Sequence, residues 1–171
     1  IDVSSPRVQA IDRGESHIPD VPSATLAPLV QAGRLTASTA YRDCATADAM
    51  VICVPTPLTR MKAPDLSYLE AACTALAPHL APGSLVVLQS TTYPGTTREL
   101  VLPILEGSGL KAGRDFYLAF SPERVDPGSK KYGIRNTPKV VGGVDARSTE
   151  LGALLYGQVA EVVVPVSGPE V

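Results

Sequence analysis

Five short apolar runs set what this chain can fold into: Met50–Val54, Leu85–Leu88, Asp115–Phe120, Pro138–Val144 and Glu161–Val166. Met50–Val54 is rich in β-branched residues, and all five runs are too short for a core helix, so each reads as a strand. Between them lie stretches with helical spacing. The clearest is Ser67–Ala81, where Leu69, Ala72, Cys73, Leu76 and Leu80 recur at i, i+3, i+4 and i+7 before Pro82-Gly83. A second helix is expected from about Thr96 to Leu105, and a third, capped by Asp145 or Ser148, to about Val159. Strands alternating with helices at these spacings suit βαβ crossovers, which predicts a parallel, doubly wound α/β sheet.

The N-terminal part fits the same scheme. Ile1–Val3 reads as the tail of a strand, and Ser5 and Pro6 as the cap and first turn of a helix running to about Arg13, with Gly14 ending it. Asp2 thus stands between a strand and a helix, where dinucleotide-binding domains hold a pair of ribose hydroxyls; an Asp helping to cap the helix is the plainer alternative. Ala24–Ala32 reads as a short helix ended by Gly33, and Ser38–Arg42 as a possible strand. The loops Leu58–Leu66, basic at Arg60 and Lys62, and Lys130–Asn136 are expected to be mobile.

Composition narrows the function classes. The 171 residues suffice for one domain with a real core. Net charge is −2 with no Lys/Arg block, which argues against nucleic acid or an anionic membrane as partner. No apolar run is long enough to span a membrane, and no charged start precedes an apolar segment, so neither a span nor a signal peptide is expected. Cys44, Cys53 and Cys73 lack metal-ligand spacing, so no metal site is expected and free thiols in a reducing cytoplasm are the simplest account. Cys53 within a strand and Cys73 on an apolar helix face read as core residues.

The chemistry is concentrated at strand ends. The run Phe120–Gly128 follows a buried strand and carries Glu123, Arg124 and Asp126 between Pro122 and Pro127. A stiff, charged loop in that place is a common ligand position, although a surface turn with a local charge cluster has the same composition. Val54-Pro55-Thr56-Pro57 ends one strand, and Ser90-Thr91-Thr92-Tyr93-Pro94-Gly95 another, with hydroxyls beside a helix N-terminus.

Taken together and in order, these segments resemble the UDP-glucose/GDP-mannose dehydrogenase family over nearly the whole chain. They are Asp2 with Arg7, Val54–Pro57, Ser90–Thr97, Ser121–Gly128 and Thr137–Gly143. The form Ser-Pro-Glu-Arg-Val-Asp-Pro-Gly looks most like the branch acting on UDP-N-acetylhexosamines. The UDP-glucose branch usually has a Phe and a later Glu in that loop, and this sequence lacks both.

The resemblance implies a Rossmann-like NAD-binding domain and a four-electron oxidation. The C6 hydroxyl of a UDP-sugar (UDP-N-acetylglucosamine or UDP-N-acetylmannosamine) becomes a carboxylate, with NAD+ used twice in turn and a cysteine capturing the aldehyde. Carried over by position, Asp2 and Arg7 face the adenosine ribose, and Val54, Pro55 and Thr56 line the dinucleotide. Ser90 and Thr91 sit near the nicotinamide and the catalytic water, Glu123 places or activates that water, and Arg124, Val125 and Asp126 contact the sugar. Each role has a competitor: Thr91 also suits a helix cap, Glu123 an ion pair with Arg124 or a basic loop residue, and Arg7 a solvated helix position.

The resemblance also implies parts not contained in residues 1–171: a first strand with its glycine-rich loop, a central helix through which a homodimer forms, and a C-terminal UDP-binding domain holding the nucleophilic Cys. None of Cys44, Cys53 or Cys73 matches that nucleophile. The chain is therefore expected to be most of an N-terminal NAD-binding domain, inactive by itself, with a gap in its sheet where the first strand belongs. A cytoplasmic enzyme making a cell-surface polysaccharide precursor is what the resemblance implies. UDP-glucose 6-dehydrogenase and a non-catalytic nucleotide-binding module of the same fold are the alternatives.

Overall fold

The computed structural model describes residues 1–58, 63–125 and 133–171. Among them, five strands form one sheet in the order β1-β2-β3-β4-β5: Ala49–Ile52, Leu85–Leu88, Tyr117–Phe120, Lys139–Gly143 and Val163–Pro165. The basic loop positions Arg60 and Lys62, and Asp126 of the charged loop, lie outside the described residues.

Burial explains the layers. Strand β2 is Leu-Val-Val-Leu and is buried at all four positions. Side chains alternate across a strand, so Val86 and Leu88 enter one core while Leu85 and Val87 enter another. The first core is closed by α3 (Ser67–Leu76) and α4 (Leu102–Glu106), through Leu69, Cys73, Leu76 and Leu105. The second is closed by α5 (Ala146–Tyr156), through Leu151, Leu155 and Tyr156. Helices on both faces of a mostly parallel sheet make this the expected Rossmann-like α/β class.

Three local readings are corrected. The helix from Ser67 is α-helical only to Leu76 and tightens into a 3-10 turn over Ala77–His79, where Pro78 has no N–H to give. The segment from Thr96 opens with a wide π turn over Thr97–Val101 just before Pro103, whose ring cannot pack on the carbonyl four residues back. Ser38–Arg42 is not a strand: a 3-10 turn spans Tyr41–Thr46, and the Ser38 hydroxyl accepts the Ala40 N–H at 3.0 Å, bending the backbone.

The larger correction concerns direction. β1, β2 and β3 are parallel, but β4 runs antiparallel to β3, with Ala119 opposite Gly143 and Phe120 opposite Gly142; β5 is then parallel to β4. A parallel crossover needs an element to carry the chain back, and the polar sequence between Phe120 and Pro138 has no apolar helical face to lay on the sheet.

At the N-terminus, α1 (Ser5–Asp12) packs on α2 (Ser23–Gln31). Ser4, not Ser5, precedes α1. Gly14 ends it at φ +74°, and a Cβ there would run into Ala27. Strand β1 pairs with β2 alone among the described strands, and Val51 on it is 43% exposed. A cavity of about 590 Å³ runs along this open edge, between Ile1, Ser38 and Tyr41 on one side and Met50 to Val54 on the other.

Asp145 caps α5, accepting the Ser148 N–H at 2.9 Å and the Ser148 hydroxyl at 2.8 Å, while Ser148 Oγ accepts the Leu118 N–H at 3.1 Å. The helix start thereby lies so close to Gly143 that a Cβ at Gly143 would meet Ser148 and the Thr149 N–H. Gly143→Ala is expected to cost about 1–3 kcal/mol through overpacking. Thermal denaturation of the variant should show a lowered midpoint; an unchanged midpoint would contradict this packing.

Candidate functional site

The carboxyl ends of β1, β2 and β3 point the same way, and the chain leaving each of them is stitched to its neighbour. After β1 the Val54 N–H donates to Ser90 Oγ at 2.8 Å, and the Gln89 and Ser90 N–H groups reach Ile52 O at 3.0 and 3.2 Å. The Thr56 hydroxyl donates to Thr91 O at 2.6 Å. Together these turns wall a cavity of about 410 Å³ lined by Val54, Pro55, Thr56, Ser90, Thr91 and Glu123, with Cys53 and Gln89 between them. The structure thus brings together six residues predicted from separate segments. Thr91 is not a helix cap, because Thr96 precedes the helix and its hydroxyl donates to Tyr93 O at 2.8 Å.

Glu123 is the most constrained group in this cavity. Its Oε1 accepts the N–H groups of Arg124 and Val125 at 2.7 and 2.8 Å. Its Oε2 accepts Gln89 Nε2 at 2.6 Å and Lys139 Nζ at 3.2 Å. Partial burial pushes its carboxyl up, but the Val125 and Arg124 N–H groups and the Lys139 ammonium outweigh that and hold it below the ordinary glutamate value. A depressed carboxylate stabilises the fold above its unfolded-state value, and this contribution is lost as pH falls through the folded-state value. Among the described residues the ion-pair partner of Glu123 is Lys139, which reaches it from strand β4, and not Arg124.

Behind Glu123, Lys139 is buried, also donates to Pro122 O at 3.3 Å, and lies 5.0 Å from the centre of the Tyr156 ring. The Tyr156 hydroxyl donates to Gln89 Oε1 at 2.7 Å, and burial pushes that phenol up to about 12. Gln89, Lys139 and Tyr156 were not among the predicted site residues. The signal for Lys139 was present, as a charged residue opening the otherwise apolar run Lys-Val-Val-Gly-Gly.

The remaining positions fall elsewhere. Asp2 Oδ1 accepts the Ser4 N–H at 2.8 Å and Oδ2 meets Arg7 Nη1 at 3.5 Å. The Ser4 N–H chiefly, with Arg7 adding to it, outweighs the opposing effect of burial and holds this carboxyl below its ordinary value. Asp2 therefore braces the turn before α1, which has no side-chain cap of its own, and keeps an exposed pair with Arg7. Neither residue lines the smaller cavity. Their neighbour Ile1 lines the larger one, and the two cavities share Cys53 and Val54. The main-chain N–H groups of Arg124 and Val125 point at Glu123, as given above. Cys73 is core and burial pushes its thiol up to about 12, but Cys53 is exposed, because β1 ends at Ile52 and the cavity opens beside it.

Comparison with known proteins gives the family. A family model described as UDP-glucose/GDP-mannose dehydrogenase family, NAD binding domain, matches residues 1–160. The chain belongs to the UDP-glucose/GDP-mannose dehydrogenase family. Its fold is that of the family's NAD-binding domain, and NAD is its cofactor. Among curated relatives, UDP-N-acetyl-D-glucosamine 6-dehydrogenase of Pseudomonas aeruginosa is 32% identical over 159 residues, 92% of this chain and 37% of that protein. UDP-N-acetyl-D-mannosamine dehydrogenase of Escherichia coli is 36% identical over 166 residues, 88% of this chain and 38% of that one. A solved structure of the UDP-D-ManNAc dehydrogenase of Pyrococcus horikoshii superposes with a TM-score of 0.90 at 32% identity, covering 99% of this chain and 40% of that one. The chain thus spans under two fifths of the curated relatives named here.

The stitching of the two strand ends has a direct test. Ser90→Ala removes the acceptor of the Val54 N–H and should cost about 1–3 kcal/mol. Chemical denaturation of this family member reads the cost, and a variant as stable as the parent would contradict the assignment.

Proposed function

We propose that this chain is most of the N-terminal NAD-binding domain of a longer enzyme that oxidises the C6 hydroxyl of a UDP-N-acetylhexosamine to a carboxylate, using two NAD+ in turn. The observation that carries the reading is the strand-end cavity, where Val54, Pro55, Thr56, Ser90 and Thr91 share one space with the anchored carboxylate of Glu123. Open α/β sheets bind ligands outside the carboxyl ends of their strands, which is where this cavity lies.

The residues present fit NAD in part. Asp2 stands before α1, in place to accept ribose hydroxyls, and the two stitched turns offer fixed main chain and hydroxyls to the nicotinamide end. The open edge of β1, with its cavity, is where a first strand and glycine-rich loop of the complete domain would pair and cradle the pyrophosphate. NAD+, when bound, supplies the hydride acceptor. This chain's own residues orient and solvate. Glu123, held anionic, accepts a hydrogen bond from the water that completes the reaction, and Thr91 lies across the same cavity. Arg124, Val125 and Asp126 belong to the loop that meets the sugar.

The uronic acid product and the N-acetylhexosamine preference complete the reaction, supported by the likeness to the relatives named above; a cytoplasmic location and a homodimer formed through residues outside this chain belong to the proposal as what the family resemblance of the sequence implies. The loop Ser-Pro-Glu-Arg-Val-Asp-Pro-Gly favours the hexosamine branch over UDP-glucose.

In the protein that carries this domain, Glu123→Gln should lower kcat for NADH formation by about 10²-fold or more while the KM for NAD+ stays within about threefold. UDP-N-acetylglucosamine, UDP-N-acetylmannosamine and UDP-glucose are the substrates to compare. An unchanged kcat in the variant would remove Glu123 from the reaction.

A further inference from the structure

Lysine is almost never buried without a partner, because its ammonium loses hydration that only a charge or several hydrogen bonds replace. The Lys139 side chain is 8% exposed. Its main chain is already committed to the sheet, with its N–H on Val162 O at 2.9 Å and its Cα opposite Val163. An apolar residue would serve the strand equally well. What the ammonium adds is its contact with Pro122 O and Glu123 Oε2 over the face of Tyr156.

We propose that Lys139 is the positioning residue for Glu123: from the reversed strand β4 it clamps the carboxylate at the strand-end cavity and keeps it anionic there. This rests on the dehydrogenase reading, in which Glu123 faces the reacting water. Gln89 and Tyr156 complete the clamp. The ionised Glu123 carboxylate can only accept, so Gln89 Nε2 must face it, and Gln89 Oε1 is left to accept the Tyr156 hydroxyl. Main-chain N–H groups hold one carboxylate oxygen and side chains the other. The titratable groups facing Glu123 among the described residues are Cys53 from the end of β1, Lys139 from β4 and Tyr156 from α5. Of these Lys139 is the cation.

Two readouts, both on the protein that carries this domain, separate this proposal from the activity on which it rests. The first is the titration of Glu123 itself, followed by the ¹³C shift of its side-chain carboxyl, with Glu123→Gln as the assignment control. Its midpoint should rise by about one pH unit in Lys139→Met and in Lys139→Gln, and return in Lys139→Arg. A midpoint that does not move in either uncharged variant overturns the proposal, whether or not the parent protein makes NADH.

The second is the pH profile of NADH formation. Its acid limb should move up by the same amount in the uncharged variants, with the KM for NAD+ within about twofold of the parent. A fall in kcat with a stationary acid limb would make Lys139 a packing residue and overturn the proposal. A parent protein that oxidises no nucleotide sugar would defeat the dehydrogenase reading, and the carboxyl titration alone would then decide the role of Lys139.

Discussion

Burial of β2 on both faces is the constraint from which the rest follows. Leu85, Val86, Val87 and Leu88 all lie within the protein, and removing each such side chain from water is worth about 1.5–3 kcal/mol. A strand apolar on both sides needs a layer on each. The chain supplies α3 and α4 for one and α5 for the other. With β1 and β3 parallel to β2, three carboxyl ends emerge on one side. Polar residues there cannot join the core, so they gather into a shared cavity and satisfy one another across it.

The reversal at β4 then turns a fold into a site. Because β4 runs back along β3, its first residue lies beyond the end of β3, beside the loop that carries Glu123. A parallel β4 would have put that end of the strand at the opposite side of the sheet. The ion pair between Glu123 and Lys139 is thus a consequence of topology, and so is the stack of Tyr156 and Gln89 behind it. The close approach of α5 to β4, at Gly143 and between Gly152 and Val141, keeps this group of residues together.

Much of the sheet was legible because two-sided burial leaves continuous apolar runs, and β2 was read to its last residue. The helices were legible in position but not in form. Pro78 and Pro103 act through a missing N–H, so they changed the kind of turn at Ala77–His79 and Thr97–Val101 without moving the apolar pattern. The direction of β4 left no trace in periodicity, since a strand looks alike in either sense. Six of the site residues were legible through local motifs at strand ends. Gln89 and Tyr156 were not, because their contact joins residues 67 apart, and Lys139, though marked as a charge in an apolar run, meets Glu123 only through the reversal of β4. Cys53 was misplaced because an apolar run does not show where its ladder stops.

In the proposed function NAD+ enters the cavity between the ends of β1 and β2. Cys53 is an exposed residue on that cavity, although partial burial pushes its thiol up, while Cys73 is sealed in the core. Alkylation of the protein carrying this domain, with and without NAD+ and read by peptide mass spectrometry, therefore reports directly on occupancy. Cys53 should be modified, NAD+ should slow its modification several-fold, and Cys73 should stay unmodified in both samples. Modification of Cys53 at the same rate with saturating NAD+ would contradict this placement of NAD+.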